Sequence, residues 1–429
     1  MRATTWAARI LTAALALVTV SARGNGRFPQ AQHLVAGPGS RDDLVFVRTT
    51  FGLLLSDDGG QRFRFFCEDA WGFLDGVDPP ITIGNRGNLL VGIQNGLTRS
   101  RDGCAPSRAS ELDGQRVVDV ANDPSGRVVL AALVAPGRPV SRVARSDDGG
   151  DRFEVPRDGF DDVTLSTVEV GSVDATRLYA SGLIGEARVP AVWRSDDGGA
   201  TWERSAARFD PGAEVFISGV DRTNPDVVYL RATGGDAGLG GSVLLRSDDG
   251  ARDFREVART RGPMRGFAMR DDGRTVWIGG PVDGLLRSEG GGPFRAVADT
   301  SVECLRWHAG VLWACGTFAP GAVLLWRASG DGALAPALRW DQLEGPPTRC
   351  APGSPVREVC PLRWQMVRGV IAPTVRDAGM DAGAAVTEPP AEGCGCRAGA
   401  GRGGMRGLWA LGLAWAIARR RQTRRPGAG

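Results

Sequence analysis

Ser-Asp-Asp-Gly-Gly stands at three places in the chain, Ser56–Gly60, Ser146–Gly150 and Ser195–Gly199. Weaker copies lie between and beyond them. Aligned on the serine, the marks are Ser56, Ser100, Ser146, Ser195, Ser247 and Ser288, with a worn seventh copy marked by Ala328 in Arg327–Gly332. The steps are 44, 46, 49, 52, 41 and 40 residues. A period of this size is the mark of a stacked or radial repeat, in which each unit buries its apolar face on its neighbours.

Short apolar runs precede the marks, such as Leu53-Leu54-Leu55, Val192-Trp193, Leu285-Leu286 and Leu324-Leu325-Trp326. An aromatic follows most of them: Phe63, Phe153, Trp202, Phe254 and Phe294. Two further β-type runs lie upstream in each unit, bounded by Gly, Pro and Asp turns. Four strands in about forty-five residues make a propeller blade. The expected fold is therefore all-β, a seven-bladed β-propeller over residues 23–345, with the repeated turn between the third and fourth strand of each blade.

The chemistry expected of that turn is structural. Gly supplies positive φ, the second Asp accepts amide hydrogens, and the Ser hydroxyl locks the turn. These residues resemble the Asp-box, or bacterial neuraminidase repeat. Ser195, Asp197, Gly199, Thr201 and Trp202 match it in full. Ser56, Asp58, Gly60 and Phe63 match well, as do Ser146, Asp148, Gly150 and Phe153. Ser247, Asp249 and Phe254 match with Ala251 in place of Gly; Ser288 has Gly290 where Asp belongs, and Ser100 keeps only Asp102 beside Cys104. A calcium role for the Asp pairs lacks the further oxygen ligands and terminal Glu of a calcium loop. No metal site and no cofactor is expected.

Composition narrows the partners. All 52 basic residues are Arg. The formal charge of +3 is carried by the ends, since residues 23–393 hold 42 Arg against 49 acids, a net of −7. A mildly acidic body argues against nucleic acid.

Met1–Ala22 reads as a signal peptide, with Arg2 and Arg9 before the apolar stretch Ile10–Val20 and a small-residue site at Val20-Ser21-Ala22. Residues 346–375 are expected to form a disulfide-closed C-terminal segment packed on the propeller, and residues 376–393 a disordered linker. In 394–429, Cys394-Gly395-Cys396 precedes an apolar run from Gly407 to Ala418 and then Arg419-Arg420-Arg421. The run is short for a membrane span. This order of parts resembles the C-terminal sorting signal of myxobacterial surface proteins. The resemblance implies processing, with or without lipidation, at Cys394 or Cys396, and an outer-membrane, cell-surface location. Disulfides persist in that setting. The pairings expected are Cys304–Cys315 across a hairpin, Cys350–Cys360 closing a Pro/Gly-rich loop, and Cys67–Cys104 between neighbouring repeats.

Function in such propellers is expected on the face opposite the repeated turns. The loops there include Val134–Ser141, Leu183–Ala191 and Thr233–Ser242. They nominate Arg48, Asn95, Arg138, Arg188, Asp236 and Asp283 as ligand-binding candidates. Catalytic residues are not identifiable. Sialidases share the repeat but imply an arginine triad, a Tyr nucleophile and an Arg-Ile-Pro motif; Arg27-Phe28-Pro29 is a poor match, and Tyr179 and Tyr229 both fall in strand patterns. Asp221–Tyr229 resembles a strand-leading turn of xyloglucanase-type propellers and also of non-catalytic sortilin-type and photosystem-assembly propellers. His33 and His308 are the only histidines, without a Gly-x-Ser-x-Gly elbow. The expectation is a monomeric, exported binding module for a glycan or surface protein, without catalysis. The alternative is a glycoside hydrolase, sialidase-like or xyloglucanase-like, with paired carboxylates.

Overall fold

Seven four-stranded antiparallel sheets, each built from consecutive strands, account for the repeat. The computed structural model describes residues 30–371, apart from 75, 172–174, 236–239 and 318–321. The signal peptide, the linker, Cys394 and Cys396 lie outside the described residues.

The inner strands of blades 1 to 7 are Ala31–Ala36, Ile81–Ile83, Arg116–Asn122, Val163–Val170, Ala213–Val220, Gly266–Met269 and Cys304–His308. Each packs against the next, and the seventh packs against the first, so the ring is closed. The second strands are apolar on both faces, as in Leu89–Ile93 and Val129–Val134, because both faces meet neighbouring blades.

The repeated turns join third and fourth strands, and their hydrogen bonds recur. Ser195 Oγ donates to Asp197 Oδ1 at 2.8 Å and accepts from Gly199 N at 2.9 Å. Asp197 also takes the Thr201 amide at 2.8 Å and its hydroxyl at 2.6 Å. The same Ser–Asp bond is 2.8 Å at Ser56, Ser146 and Ser247 and 3.1 Å at Ser100. Donors from the Thr201 side chain and amide and from Ser195 pull the Asp197 carboxyl down to about 2. The serines at 56, 146, 195 and 247 are buried. At Ser247 the turn persists with Ala251 at φ 66°, where a side chain is strained.

A second bond ties six of the seven turns to their own blades. The first Gly of the turn donates to a carbonyl in the turn between first and second strands: Gly59 to Asp43, Gly149 to Arg127, Gly198 to Thr176 and Gly250 to Asp226, at 2.8–2.9 Å. The worn copies keep it, as Gly290 to Arg274 at 2.7 Å and Gly330 to Gly310 at 2.9 Å. The two turn sets therefore share one face of the propeller. Trailing aromatics Phe63 and Phe153 are buried, and Trp202, Phe254 and Phe294 pack partly buried on blade cores. A buried ring of this size contributes about 2–3 kcal/mol.

Two of the three expected disulfide pairings are corrected. Cys304–Cys315 forms across the blade 7 hairpin. The other bonds are Cys67–Cys360 and Cys104–Cys350, in place of Cys67–Cys104 and Cys350–Cys360. The segment after blade 7 is thus bonded to blades 1 and 2 and is not closed on itself. The reason lies in its path. After the last strand, Ala335–Arg339, Glu344 pairs with the outer edge of blade 1, donating to Phe63 O at 3.0 Å and accepting from Phe65 N at 3.1 Å. The chain then reaches helix α2 (Pro355–Ile371), which lies on α1 (Glu68–Trp71). Arg363 donates to Asp69 at 3.1 Å, and Trp364 meets Phe65 with ring centroids 5.4 Å apart. Among the described strands no blade combines strands from both ends of the chain, so this clasp reinforces the junction where the ring closes.

Candidate functional site

Bulges decide what the inner strands present. Four of them carry one extra residue against their second strand: Gln32, Val118, Ser166 and Ser218. A bulge re-aims the side chains that follow it. Asp119, just past its bulge, accepts from Val168 N of the next blade at 2.9 Å. Thr167, in the same place one blade on, accepts from Ile217 N at 2.9 Å. Both are inter-blade ties. Thr82 donates to Asn122 at 2.9 Å between blades 2 and 3, and Ser181 donates to Val215 O at 2.9 Å between blades 4 and 5.

Around the axis these strands gather charge from several blades. His33 and Arg48 come from blade 1, Asp119 from blade 3, Glu169 from blade 4, Arg222 from the turn after the first strand of blade 5, Asp271 from the same turn of blade 6, and Arg306 and His308 from blade 7. A cavity of about 120 Å³ is lined by Glu169, Arg222, Arg306, Asn122, Phe267 and Trp307, among others. An adjoining cavity of about 250 Å³ shares Asn122, Pro124, Arg222 and Arg306 with it and adds Asp42, Asp271 and His308. Because turns between first and second strands line both, this mouth opens on the face that carries the repeated turns.

Burial controls the protonation of the cluster. It raises Asp119 to about 8, with the Glu169 charge adding to the rise and the Val168 amide opposing it. It raises Glu169 to about 7 against the pull of Arg306 and Arg222. It lowers His33 to about 3, helped by Arg48 and Arg306, so this imidazole stays neutral. Burial, then Arg306, also lowers His308. Arg306 itself is held down to about 10 by burial and by the neighbouring Arg222 charge. Its Nε is buried with no hydrogen-bond partner among the described residues, and so is His308 Nε2. By contrast Arg222 is engaged, donating to Asp271 Oδ1 at 2.9 Å, while Trp307 Nε1 donates to Asp271 Oδ2 at 3.1 Å.

Of the residues nominated from sequence, Arg48 belongs to the axial cluster, and the others described lie elsewhere. Arg48 is within the second strand of blade 1, not in a loop, and donates to Pro79 O at 3.1 Å. The Asn95 carbonyl takes the Arg108 guanidinium. Arg138 is exposed in its turn. Arg188, at φ 51°, pairs with Glu214 of the next blade. Asp283 accepts from Gly262 N at 2.9 Å and Arg261 N at 3.2 Å, which fixes a loop. Asp236 lies outside the described residues. Tyr179 donates to Pro225 O at 2.7 Å and Tyr229 receives Arg246 at 3.2 Å, both within blade packing. Sequence reasoning missed Glu169 and Arg306. One signal was present: in Cys304-Leu305-Arg306-Trp307-His308, charge alternates with apolar residues on an inner strand.

No family model matches the chain, and no curated protein matches it. Solved structures resemble it at low identity. A GH74 enzyme from Niastella koreensis is 13% identical, with 71% of this chain and 65% of that one covered and a TM-score of 0.40. The chain thus spans just under two thirds of that enzyme. An oligogalacturonate lyase from Vibrio parahaemolyticus is 9% identical, covering 70% and 90%, at 0.47. A protein from Lactobacillus plantarum is 10% identical, covering 72% and 94%, also at 0.47. The likeness concerns the fold alone.

Proposed function

We propose that this protein is an exported, surface-anchored propeller that binds a glycan or a surface protein, with the ligand's recognised group entering the mouth of the central channel. One observation carries the reading: ionisable side chains from several blades line two adjoining cavities, and the buried Nε of Arg306 there has no partner among the described residues. An unsatisfied buried donor is costly unless something external satisfies it. The repeated turns, read as Asp-box turns, hold the scaffold, because their carboxylates are spent on Ser hydroxyls and turn amides.

Three disulfides suit an exported chain. Among the described residues no helix is long and apolar enough to cross a membrane. Attachment is therefore assigned to the tail. A Cys394→Ser, Cys396→Ser double variant should be released from the cell surface; unchanged retention would argue against the anchor.

The hydrolase alternative draws on Glu169, whose raised affinity for a proton suits a general acid. It needs a second carboxylate on the same cavity, and Asp119 is committed to Val168 N. The test is a glycan panel assayed for binding and turnover, with Ser218, which lines the cavity of about 120 Å³, changed to Trp (Ser218→Trp) to fill the mouth. Binding lost in that variant, without turnover, supports the binding module. Turnover abolished by Glu169→Gln establishes the hydrolase. Binding unchanged by Ser218→Trp overturns the assignment to the mouth.

A further inference from the structure

We infer that the ligand group recognised at the channel mouth is a carboxylate, carried by an acidic sugar of the uronic acid class and held by Arg306. The inference rests on the mouth being the binding site and names what binds there.

Arg306 is the centre of the argument. Arg306 lines both cavities, and its Nε is buried without a partner among the described residues. Guanidinium presents a planar fork whose Nε and a terminal nitrogen match the two oxygens of a carboxylate. The neighbouring cation, Arg222, already donates to Asp271, so its charge is largely answered within the protein. Space also fits: about 120 Å³ holds a small acid group, and the adjoining 250 Å³ accepts the rest of a sugar. Phe267 and Trp307 supply ring surface on the wall, where the C–H face of a sugar can pack. Asn122 supplies an amide for a hydroxyl.

The charged groups facing this spot set the sign of the site. Arg48, Arg222 and Arg306 are cationic; Asp42, Asp123 and Asp271 are the anionic groups around the mouth, Asp123 accepting from the Ser125 hydroxyl and the Val128 amide. His33 and His308 are kept neutral by burial and by Arg306. Asp119 holds its proton near neutral pH. Glu169, on the wall of the inner cavity, changes charge near neutrality, at about 7. When protonated it can donate to a ligand oxygen, and when ionised it competes with the ligand for Arg306. A ligand carboxylate therefore binds with a proton held on Glu169, and affinity falls as pH rises through 7.

The test is calorimetric or ligand-observed NMR titration of the protein with D-glucuronate, its neutral methyl ester, D-glucose and inorganic phosphate. Glucuronate is expected to bind at least about tenfold more tightly than ester or glucose. Its affinity should drop about tenfold or more between about pH 6 and about pH 8.5. Glu169→Gln should flatten that dependence, and Arg306→Gln should remove the preference for acid over ester, with folding of each variant checked by thermal melting. Equal binding of acid and ester, phosphate bound in place of glucuronate, or no glucuronate binding at roughly 50 mM overturns the inference. A neutral glycan lost on Ser218→Trp would leave the binding module standing while sinking the carboxylate. Ligand retention indifferent to Ser218→Trp would sink the assignment of binding to the mouth, on which this inference rests.

Discussion

Cys67 and Cys360 are bonded across 293 residues of sequence, joining the outer edge of blade 1 to the helix that follows blade 7. With Cys104–Cys350, which spans 246, the bond holds the ring at its chain-closing junction. Long closed loops gain most from cross-linking, because the unfolded chain loses more freedom. The C67A/C360A variant should lose roughly 2–4 kcal/mol. C304A/C315A, closing only 11 residues, should lose less. Denaturant unfolding of the two variants side by side measures the order.

Turn serines should differ in worth according to what they hold. Ser195 Oγ links the Asp197 carboxylate and the Gly199 amide at once, and it is buried. Ser195→Ala leaves Gly199 N without that acceptor, so a loss of about 1–2 kcal/mol is expected. Ser288 makes a single bond to Gly292 O in a turn that lacks the Asp. Ser288→Ala should cost about half as much, near 0.5–1 kcal/mol. Thermal or chemical denaturation of both variants gives the comparison.

The blade count was legible because the turns are local. Serine, aspartate and glycine sit within five residues of each other, and even the copy marked by Ala328 keeps its Gly330 to Gly310 bond. The clasp was not legible. Cys350 and Cys360 are ten residues apart, yet helix α2 and the Glu344 pairing carry them to different blades. The channel cluster was hidden for another reason. Strand side chains alternate with period two, and one extra residue reverses which of them face inward. Val118 makes that reversal before Asp119, and Ser166 makes it before Glu169. Arg306 stands on a strand with no such shift in its pairing to Val311–Cys315, and there alternation alone marks the inward positions.

Stability should rise as pH falls from about 8.5 to about 6.5, opposite to the trend of a protein whose acids are salt-bridged. Asp119 and Glu169 have folded-state values of about 8 and 7, above their ordinary ones. The folded chain therefore binds more protons than the unfolded chain in this window. The stabilisation is present at low pH and is lost as pH rises through 7 and 8. Its size is on the order of 2 kcal/mol across the window, reduced slightly by His33, which takes a proton only when unfolded. Asp119→Asn keeps an acceptor for Val168 N and should remove more than half of the slope. Urea midpoints against pH for the two proteins test it; a slope of the opposite sign would refute the burial of these acids.

Two adjacent glycines in the first repeated turn should respond very differently to the same substitution. Gly59 sits at φ 71° with open space where a Cβ would go. Gly60 sits at φ 83°, and a Cβ there would lie 2.4 Å from the Trp313 ring of blade 7. Gly59→Ala pays the left-handed backbone alone, about 1–2 kcal/mol. Gly60→Ala adds a collision with a buried indole in a packed blade interface, raising the loss to roughly 3–4 kcal/mol. Trp313→Leu, which frees the ring space, should cost stability on its own yet shrink the extra penalty of Gly60→Ala. A double-mutant cycle on Gly60 and Trp313 reads that coupling directly. A coupling near zero would mean that blades 1 and 7 do not meet at this turn.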